Sequence, residues 1–216
     1  LDKSMREQNI PLFAVESQDP VKDFDFLGIT IQYEMCYTNI LQVLELSQIP
    51  IWAKDRTEKD PIVIGGGPCT YNPEPIAEFF DLFYIGEGET VYFDLIDLYK
   101  EAKESGCSRK EFLRKAAGIE GIYVPSLYQV TYHEDGTVKE MVPTQEGVPQ
   151  KVKKQVVSDM TEATYPEKPV VPYIKVTQDR VVRELQSGCI RGWLFCQAGM
   201  IYSPTSGRSL EERKDY

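Results

Sequence analysis

The chain has 216 residues, of which 42% are hydrophobic, and a formal net charge of −10. This length allows one large domain or two smaller ones, and the acidic balance disfavours non-specific binding to nucleic acids, which requires clustered lysine and arginine. No apolar run is long enough to span a bilayer, so we expect no membrane partner.

The five cysteines are widely spaced and odd in number. Because the first residues show no charged-then-apolar signal layout, this pattern predicts reduced thiols in a cytoplasmic protein rather than a disulfide framework. The first residue is not methionine, and the last six form the charged run EERKDY. We therefore expect both ends to be cut out of a longer protein.

Strand and helix patterns alternate along residues 1–120, which predicts an α/β domain. A helical period runs from Met35 to Gln48, and Ser108 is expected to cap a further helix over Arg109–Ala117. Short apolar runs predict buried strands of a doubly wound parallel sheet covered on both faces. These runs are PLFAVES (11–17), FDFLGITI (24–31), IVIGGGP after Pro61, and DLFYIGEGE (81–89), which leads into another helix.

The composition changes after Gly121. The segment LYQVTYHEDGTVKEMVP predicts a β-hairpin with Asp135 and Gly136 at its turn, and the polar, proline-rich passage after it predicts a linker. We place this hairpin and linker over residues 121–178. The segment RVVRELQSGC then predicts a new strand, which opens a second domain over residues 179–216.

Glycines and acids follow two predicted strands of the first domain at their carboxyl ends, where parallel α/β sheets bind ligands. Glycines also let a backbone approach a ligand closely. The candidate cofactor contacts are Gly65, Gly66, Gly67, Glu87 and Gly88. Two structural interpretations stay open: the glycines form only a turn, and the acids complement the positive end of a helix dipole. The segment contains no G-x-G-x-x-G dinucleotide fingerprint.

Two cysteines lie close together in the loop GCIRGWLFCQAG (188–199). Soft thiolates select zinc or iron–sulfur clusters, and glycines let the backbone wrap around a bulky inorganic centre. Zinc is disfavoured because no further cysteine or histidine stands nearby to complete four ligands. Cys189 and Cys196 are therefore candidate metal ligands, and the alternative is a pair of free thiols in a core.

The stretch RVVRELQSGCIRGWLFCQAG resembles the first strand and cluster loop of radical S-adenosylmethionine (SAM) enzymes. Their usual pattern is a cysteine, three residues, a cysteine, two residues and a cysteine, with an aromatic residue before the last. Cys189 and Cys196 match the first and third ligands, and the resemblance places Phe195 along the adenine of SAM. It implies a 4Fe–4S cluster that cleaves SAM to a 5′-deoxyadenosyl radical, and the start of a partial (β/α) barrel.

The stretch IVIGGGPCTYNPEPIAEFFDLFYIGEGET resembles the cobalamin-binding-type domains that precede many radical SAM enzymes. The resemblance implies that residues 1–120 form a Rossmann-type, cobalamin-binding-like domain, with cobalamin as a further cofactor. Families that place a protein histidine beneath cobalt use an Asp-x-His-x-x-Gly loop, whereas His133 stands beside a predicted hairpin turn. Two alternatives therefore stay open: cobalamin binds without a histidine ligand, or the domain has lost the corrinoid.

Trp193 stands where the resemblance expects the second cysteine ligand. An indole has one N–H donor and no lone pair for iron, so we expect a cluster to be held weakly or not at all. The parent protein is expected to be a radical SAM enzyme of unknown substrate in an oxygen-poor cytoplasm, and this stretch alone is expected to be inactive. Two other functions stay open: a non-catalytic binding or scaffold module that has lost the cluster, and a nucleotide-binding α/β protein.

Overall fold

A computed structural model describes residues 2–89, 92–160, 163, 170–177, 180 and 186–207. The chain divides into two compact units. The first contains Leu1–Gly86 and Phe93–Gln155, and the second contains Glu87–Tyr92 and Val156–Tyr216. None of the helices among these described residues has the length and apolarity that crossing a bilayer requires.

The first unit is built around a sheet, which has four strands in the part of the chain that the structure describes. The strands are β1 (Phe26–Thr30), β2 (Ile62–Gly66), β3 (Leu82–Tyr84) and β4 (Ile122–Tyr123), in that spatial order. The first three are parallel, as predicted, and β4 pairs antiparallel with β3. The apolar residues of β2 are buried on both faces, which explains why its sequence is a continuous apolar run.

Four α-helices accompany this sheet among the described residues: α1 (Asp2–Glu7), α2 (Tyr37–Leu46), α3 (Tyr92–Glu104) and α4 (Arg109–Ala116). The apolar period from Met35 to Gln48 correctly predicted α2. The predicted cap of α4 is also confirmed, since the Ser108 hydroxyl accepts a hydrogen bond from the Glu111 backbone N–H and the Glu111 carboxylate accepts one from the Ser108 N–H. This reciprocal pair is a capping box.

The antiparallel strand β4 departs from the parallel sheet that the sequence predicted. A parallel strand needs a crossover that returns the chain to the starting edge of the sheet. Here the chain passes through α3 and then α4, so it comes back to the edge where β3 ended. The Ile85 N–H donates to the Gly121 carbonyl at 2.7 Å there, and the chain enters β4 in the opposite direction.

Side chains cover the sheet on both faces. On one face, Val63 of β2 belongs to a buried cluster with Leu44 of α2. On the other face, the ring of Phe26 in β1 lies 4.5 Å from the ring of Tyr99 in α3 and 6.5 Å from that of Phe112 in α4. Both faces of the parallel strands are therefore closed, and the strand ends are what a ligand could reach.

The strand predicted over residues 11–17 is wrong. Phe13 forms a single antiparallel bridge with Pro20, and the chain turns between them. The Ala14 N–H donates to the Asp19 carbonyl at 2.9 Å, and Gln18 has a φ of +62°. The turn formers that follow the apolar run reverse the chain before a strand can extend.

The predicted hairpin is present as β5 (Tyr128–Tyr132) and β6 (Val138–Pro143). Gly136 has a φ of +82° at its turn, and the Thr137 hydroxyl donates to the Asp135 carboxylate at 2.6 Å. The turn residues therefore act as the sequence predicted.

The second unit contains β7 (Gln186–Ser187), a short helix α5 (Ala198–Ile201) and β8 (Ser206–Gly207). β7 and β8 pair antiparallel, and Val157, Met160 and Ala163 form a small buried cluster. The strand predicted to open the second domain falls largely on residues 179 and 181–185, which lie outside the described residues.

Candidate functional site

The glycines after β2 form a turn that lies against the chain leaving β1. Gly65 and Gly66 are the last residues of β2, and Gly67 has a φ of +92°, a conformation that favours glycine. The Ile31 N–H donates to the Gly66 carbonyl at 2.7 Å, and the Cys69 N–H donates to the Ile31 carbonyl at 3.2 Å. Backbone hydrogen bonds therefore close this turn at the carboxyl edge of the sheet.

The three glycines have different surroundings. A Cβ on Gly65 would lie 2.5 Å from a ring carbon of the buried Phe83, and one on Gly67 would lie 3.0 Å from the Ile31 carbonyl oxygen. A Cβ on Gly66 would meet nothing within 4 Å. Packing thus accounts for Gly65 and Gly67, and Gly66 is the glycine with open space for a ligand.

We predict that Gly65→Ala destabilises the protein by about 1–3 kcal/mol, because the added methyl group overpacks the core against Phe83. The neighbouring Gly66→Ala is the matched control, and its effect on the free energy of unfolding is expected to stay within about 0.5 kcal/mol. Urea denaturation of both variants measures the difference. Equal losses would mean that the Phe83 ring moves aside at no cost.

Cys69 follows the glycine turn and is buried, with 7% of its surface exposed. Burial raises the pKa of the Cys69 thiol above its usual range, and burial also raises the pKa of the neighbouring Tyr37 phenol. Nucleophilic and metal-binding cysteines require the thiolate form. Cys69 is therefore a protonated thiol at neutral pH and behaves as a small core residue.

The chain itself covers the carboxyl end of β3. The Gln155 N–H donates to the Ile85 carbonyl at 3.0 Å, and Gln155 forms a parallel bridge with Gly86. Gly86 has a φ of +119°, and the Gln155 backbone fills the position that a Cβ would take. The edge next to β3 is thus occupied by backbone from a segment that the sequence analysis treated as a linker.

The acidic segment after β3 is also engaged by the chain. The Glu87 carboxylate accepts hydrogen bonds from the Val157 N–H at 2.6 Å and from the Ser187 hydroxyl at 3.3 Å. The Gly88 carbonyl accepts a hydrogen bond from the N–H of Tyr92, the first residue of α3, at 3.3 Å. These contacts give both predicted cofactor residues a structural task within the second unit.

The cysteine loop begins at Gly188, directly after β7. Gly188 has a φ of +88°, and a Cβ there would lie 2.5 Å from the Tyr202 carbonyl oxygen. The pairing of β7 with β8 closes the base of the loop. Cys189 and Cys196 are both half-buried free thiols within it, and the Cys196 N–H donates to the Trp193 carbonyl at 3.1 Å.

Two aromatic side chains of the loop stack on each other. The rings of Trp193 and Phe195 lie 5.5 Å apart at an interplanar angle of 18°. Trp193 is 56% exposed and Phe195 is 86% exposed. Together they form an aromatic surface on the loop, and Trp193 offers no electron pair to a metal from the second ligand position.

Within the ranges that the structure describes, no group of three or more histidine, cysteine, aspartate or glutamate side chains is arranged to hold a metal ion. In the cysteine loop the thiol donors number two, Cys189 and Cys196. The loop therefore contains two of the three cysteines that the resemblance expects.

A buried ion network at the amino end of β3 was not predicted from the sequence. The Asp81 carboxylate contacts Arg56 at 2.8 Å and Arg109 at 2.9 Å, and it accepts the Val63 N–H at 2.8 Å. Burial lowers the pKa of the Arg56 guanidinium, and the Asp81 carboxylate acts in the opposite direction. The sequence shows that Asp81 stands directly before the apolar run of β3, which was a signal for a buried acid. It does not show that Arg56 and Arg109 are its partners, because both are remote in sequence.

A cavity of about 650 Å³ lies in the first unit beside this network, in the size range of small-molecule pockets. Aromatic residues line much of it, including Trp52, Tyr123 and Tyr128. The Tyr123 hydroxyl donates a hydrogen bond to the Glu74 carboxylate at 2.5 Å. Burial is the larger cause and the Glu74 contact the smaller cause of a pKa of Tyr123 well above its usual range. The cavity borders the opposite end of β3 from the glycine turn, and no motif in the sequence indicated it.

A family model described as "Radical SAM proteins, N-terminal" matches residues 1–125, more than half of the chain. An uncharacterized protein from Methanocaldococcus jannaschii is 30% identical over 212 residues, and the match covers 96% of this chain and 37% of that protein. No solved structure matches the chain.

Proposed function

The chain belongs to the radical SAM proteins, and from this premise we propose that its cysteine loop is the iron–sulfur loop of a SAM-dependent enzyme. Cys189 and Cys196 are the proposed thiolate ligands. The observation that carries the proposal is that two half-buried thiols share one short loop, closed at its base by β7 and β8, in a member of this family. Proteins of this family generally use a 4Fe–4S cluster and SAM.

The remaining cofactor contacts belong to the same proposal. Phe195 is the proposed contact for the adenine of SAM, because its ring remains 86% exposed although it stacks on Trp193. Gly66 is the proposed backbone contact at the carboxyl edge of the first sheet, because an added side chain there meets open space. Cobalamin is left out of the proposal, because the family match supports a 4Fe–4S cluster and SAM and gives no support to a corrinoid.

The donor set of the loop does not complete a three-thiolate site. Cys189 and Cys196 supply two thiolates, and Trp193 supplies none. A cluster on this loop would therefore need another ligand from outside it and would dissociate readily.

The proposal concerns the whole protein rather than this chain alone. The chain spans 37% of the length of the relative that it matches. We propose that residues 1–120 form a doubly wound, Rossmann-type domain, that residues 121–178 connect it to the next domain, and that residues 179–216 open a partial barrel. The proposed setting is a cytoplasm poor in oxygen, since an exposed iron–sulfur cluster is oxidised in air.

Trp193→Cys in the full-length protein tests the ligand assignment. After anaerobic reconstitution and desalting, we expect the variant to retain more iron and sulfide than the parent. The restored thiolate is a direct ligand, so the gain in affinity should exceed the roughly 10–100-fold that loss of an outer-shell partner costs. Iron and sulfide assays per chain measure it.

Two matched variants separate ligation from the bulk of the side chain. Trp193→Ser removes the indole without adding a thiol, and it should retain as little iron as the parent. Cys189→Ser combined with Trp193→Cys should lose the gain. Equal iron in the cysteine and serine variants at position 193 would contradict the proposal, and it would leave the non-catalytic module as the better description.

A further inference from the structure

We propose that Glu87 is a positioning residue that fixes the base of the cysteine loop. Its carboxylate joins two segments of the second unit that are 70 and 100 residues away in the sequence. One oxygen accepts the Val157 N–H at 2.6 Å, and the other accepts the Ser187 hydroxyl at 3.3 Å. The acid is therefore a structural link between the segment after β3 and the strand that enters the loop.

A single residue of constrained backbone separates Ser187, which Glu87 contacts, from the candidate ligand Cys189. Ser187 is the last residue of β7 and pairs with Ser206 of β8, and Cys189 follows two residues later. The intervening Gly188 has a φ of +88° and lies against the Tyr202 carbonyl. Because the backbone here has little freedom, holding Ser187 also holds the direction in which Cys189 leaves the strand.

The hydrogen bonds that the Glu87 carboxylate accepts from Val157 and from Ser187 are unequal in strength. The bond from Val157 is short and has a charged acceptor, which makes it the stronger type of hydrogen bond. The hydrogen bond from Ser187 is long for a hydroxyl donor, so it orients β7 but holds it more weakly. Val157 is itself buried, so loss of the carboxylate would leave its N–H without this acceptor.

The geometry also indicates which replacement should preserve the role. A glutamine has the same length, accepts the Val157 N–H through its carbonyl oxygen, and donates to the Ser187 oxygen through its amide. An alanine removes both contacts. Rescue by Glu87→Gln therefore distinguishes positioning by hydrogen bonds from binding of a cation or cofactor by the negative charge.

This inference rests on the proposed function only where it identifies the loop as a cluster loop, so its test uses metal-free protein. We expect Glu87→Ala in the full-length protein to raise the alkylation rate of Cys189 about tenfold or more, since hydrogen bonds to a charged group are strong enough to shift a local opening equilibrium by this factor. Mass spectrometry of each cysteine peptide over time measures the rates. Glu87→Gln should restore the parent rate.

Two controls keep the result interpretable. Glu89→Ala removes an exposed acid from the same segment and should leave the rate at Cys189 unchanged. Cys107, which is also half-buried, reports on the first unit and should keep its rate in every variant.

The possible outcomes separate the two proposals. An unchanged rate at Cys189 in Glu87→Ala, or an equal rise at Cys107, would overturn the positioning role. If Glu87→Ala accelerates Cys189 selectively while Trp193→Cys gains no iron, the positioning role stands and the iron–sulfur assignment fails.

Discussion

Asp81→Ala is expected to destabilise the first unit by about 3–5 kcal/mol, the range found when one partner of a buried ion pair is removed. The Arg56 side chain has no exposed surface and that of Arg109 has 9%, so both charges would stay buried after their shared carboxylate is lost. The Val63 N–H at the start of β2 would also lose its acceptor. Since folded proteins are stable by only about 5–15 kcal/mol, this is a large share of the total.

Urea denaturation, followed by tryptophan fluorescence and circular dichroism, measures this loss. Asp55→Ala is the matched control, because it removes an exposed carboxylate from the same region of the chain, and its effect should stay within about 0.5 kcal/mol. Asp81→Asn should fall between the two, since it keeps one acceptor oxygen but removes the charge. Similar midpoints for Asp81→Ala and Asp55→Ala would show that water or other carbonyls satisfy the arginines without Asp81.

Gly86→Ala is expected to destabilise the first unit by about 3 kcal/mol or more, because two costs add. A φ of +119° strains any residue with a side chain, and the new methyl group would meet the backbone of Gln155. A flexible side chain could move aside, but here a hydrogen-bonded backbone segment would have to shift away from β3.

Gly106→Ala separates these two costs. Gly106 also has a positive φ, of +67°, but a Cβ there would meet nothing within 4 Å. Its substitution should cost about 1–2 kcal/mol, the strain of the left-handed conformation alone. Parallel urea titrations give the comparison, and a Gly86 variant no weaker than the Gly106 variant would mean that the Gln155 segment does not hold its position against β3.

Local chemistry made several elements predictable from the sequence. The capping box of α4 involves residues three apart, and the hairpin turn depends on Asp135 and Gly136 themselves. The apolar period of α2 needs only a window of about ten residues. In each case the interacting groups are neighbours along the chain, so the local sequence is enough to predict the element.

The wrong strand prediction over residues 11–17 shows that a local pattern does not identify the pairing partner that a strand needs. The apolar run alone favours a strand, but Val15 is 89% exposed and the chain reverses at Gln18. A buried strand needs a neighbour to pair with, and that neighbour cannot be identified from the run itself. The direction of β4 has the same origin, since it depends on the path of α3 and α4.

The candidate site divides in the same way. The donor atoms of Cys189, Trp193 and Cys196 follow from residue identity, so the two-thiolate composition of the loop was readable without coordinates. The role of Glu87 was not, because its hydrogen-bond partners are contributed by residues far along the chain. From the sequence, Glu87 was interpreted as a ligand contact or as a partner of the helix dipole, and its hydrogen bonds to Val157 and Ser187 became visible only in the structure.

Residue order alone thus decided the chemistry that each segment can offer: which turns glycine permits, which helix is capped, and which thiols a metal could use. Tertiary structure decided which of those groups are already engaged. Asp81 forms ion pairs with two arginines, and the backbone of Gln155 covers the carboxyl end of β3. The physical reason is that a buried polar group must find a partner wherever the fold supplies one, and that partner is set by three-dimensional proximity rather than by spacing along the chain.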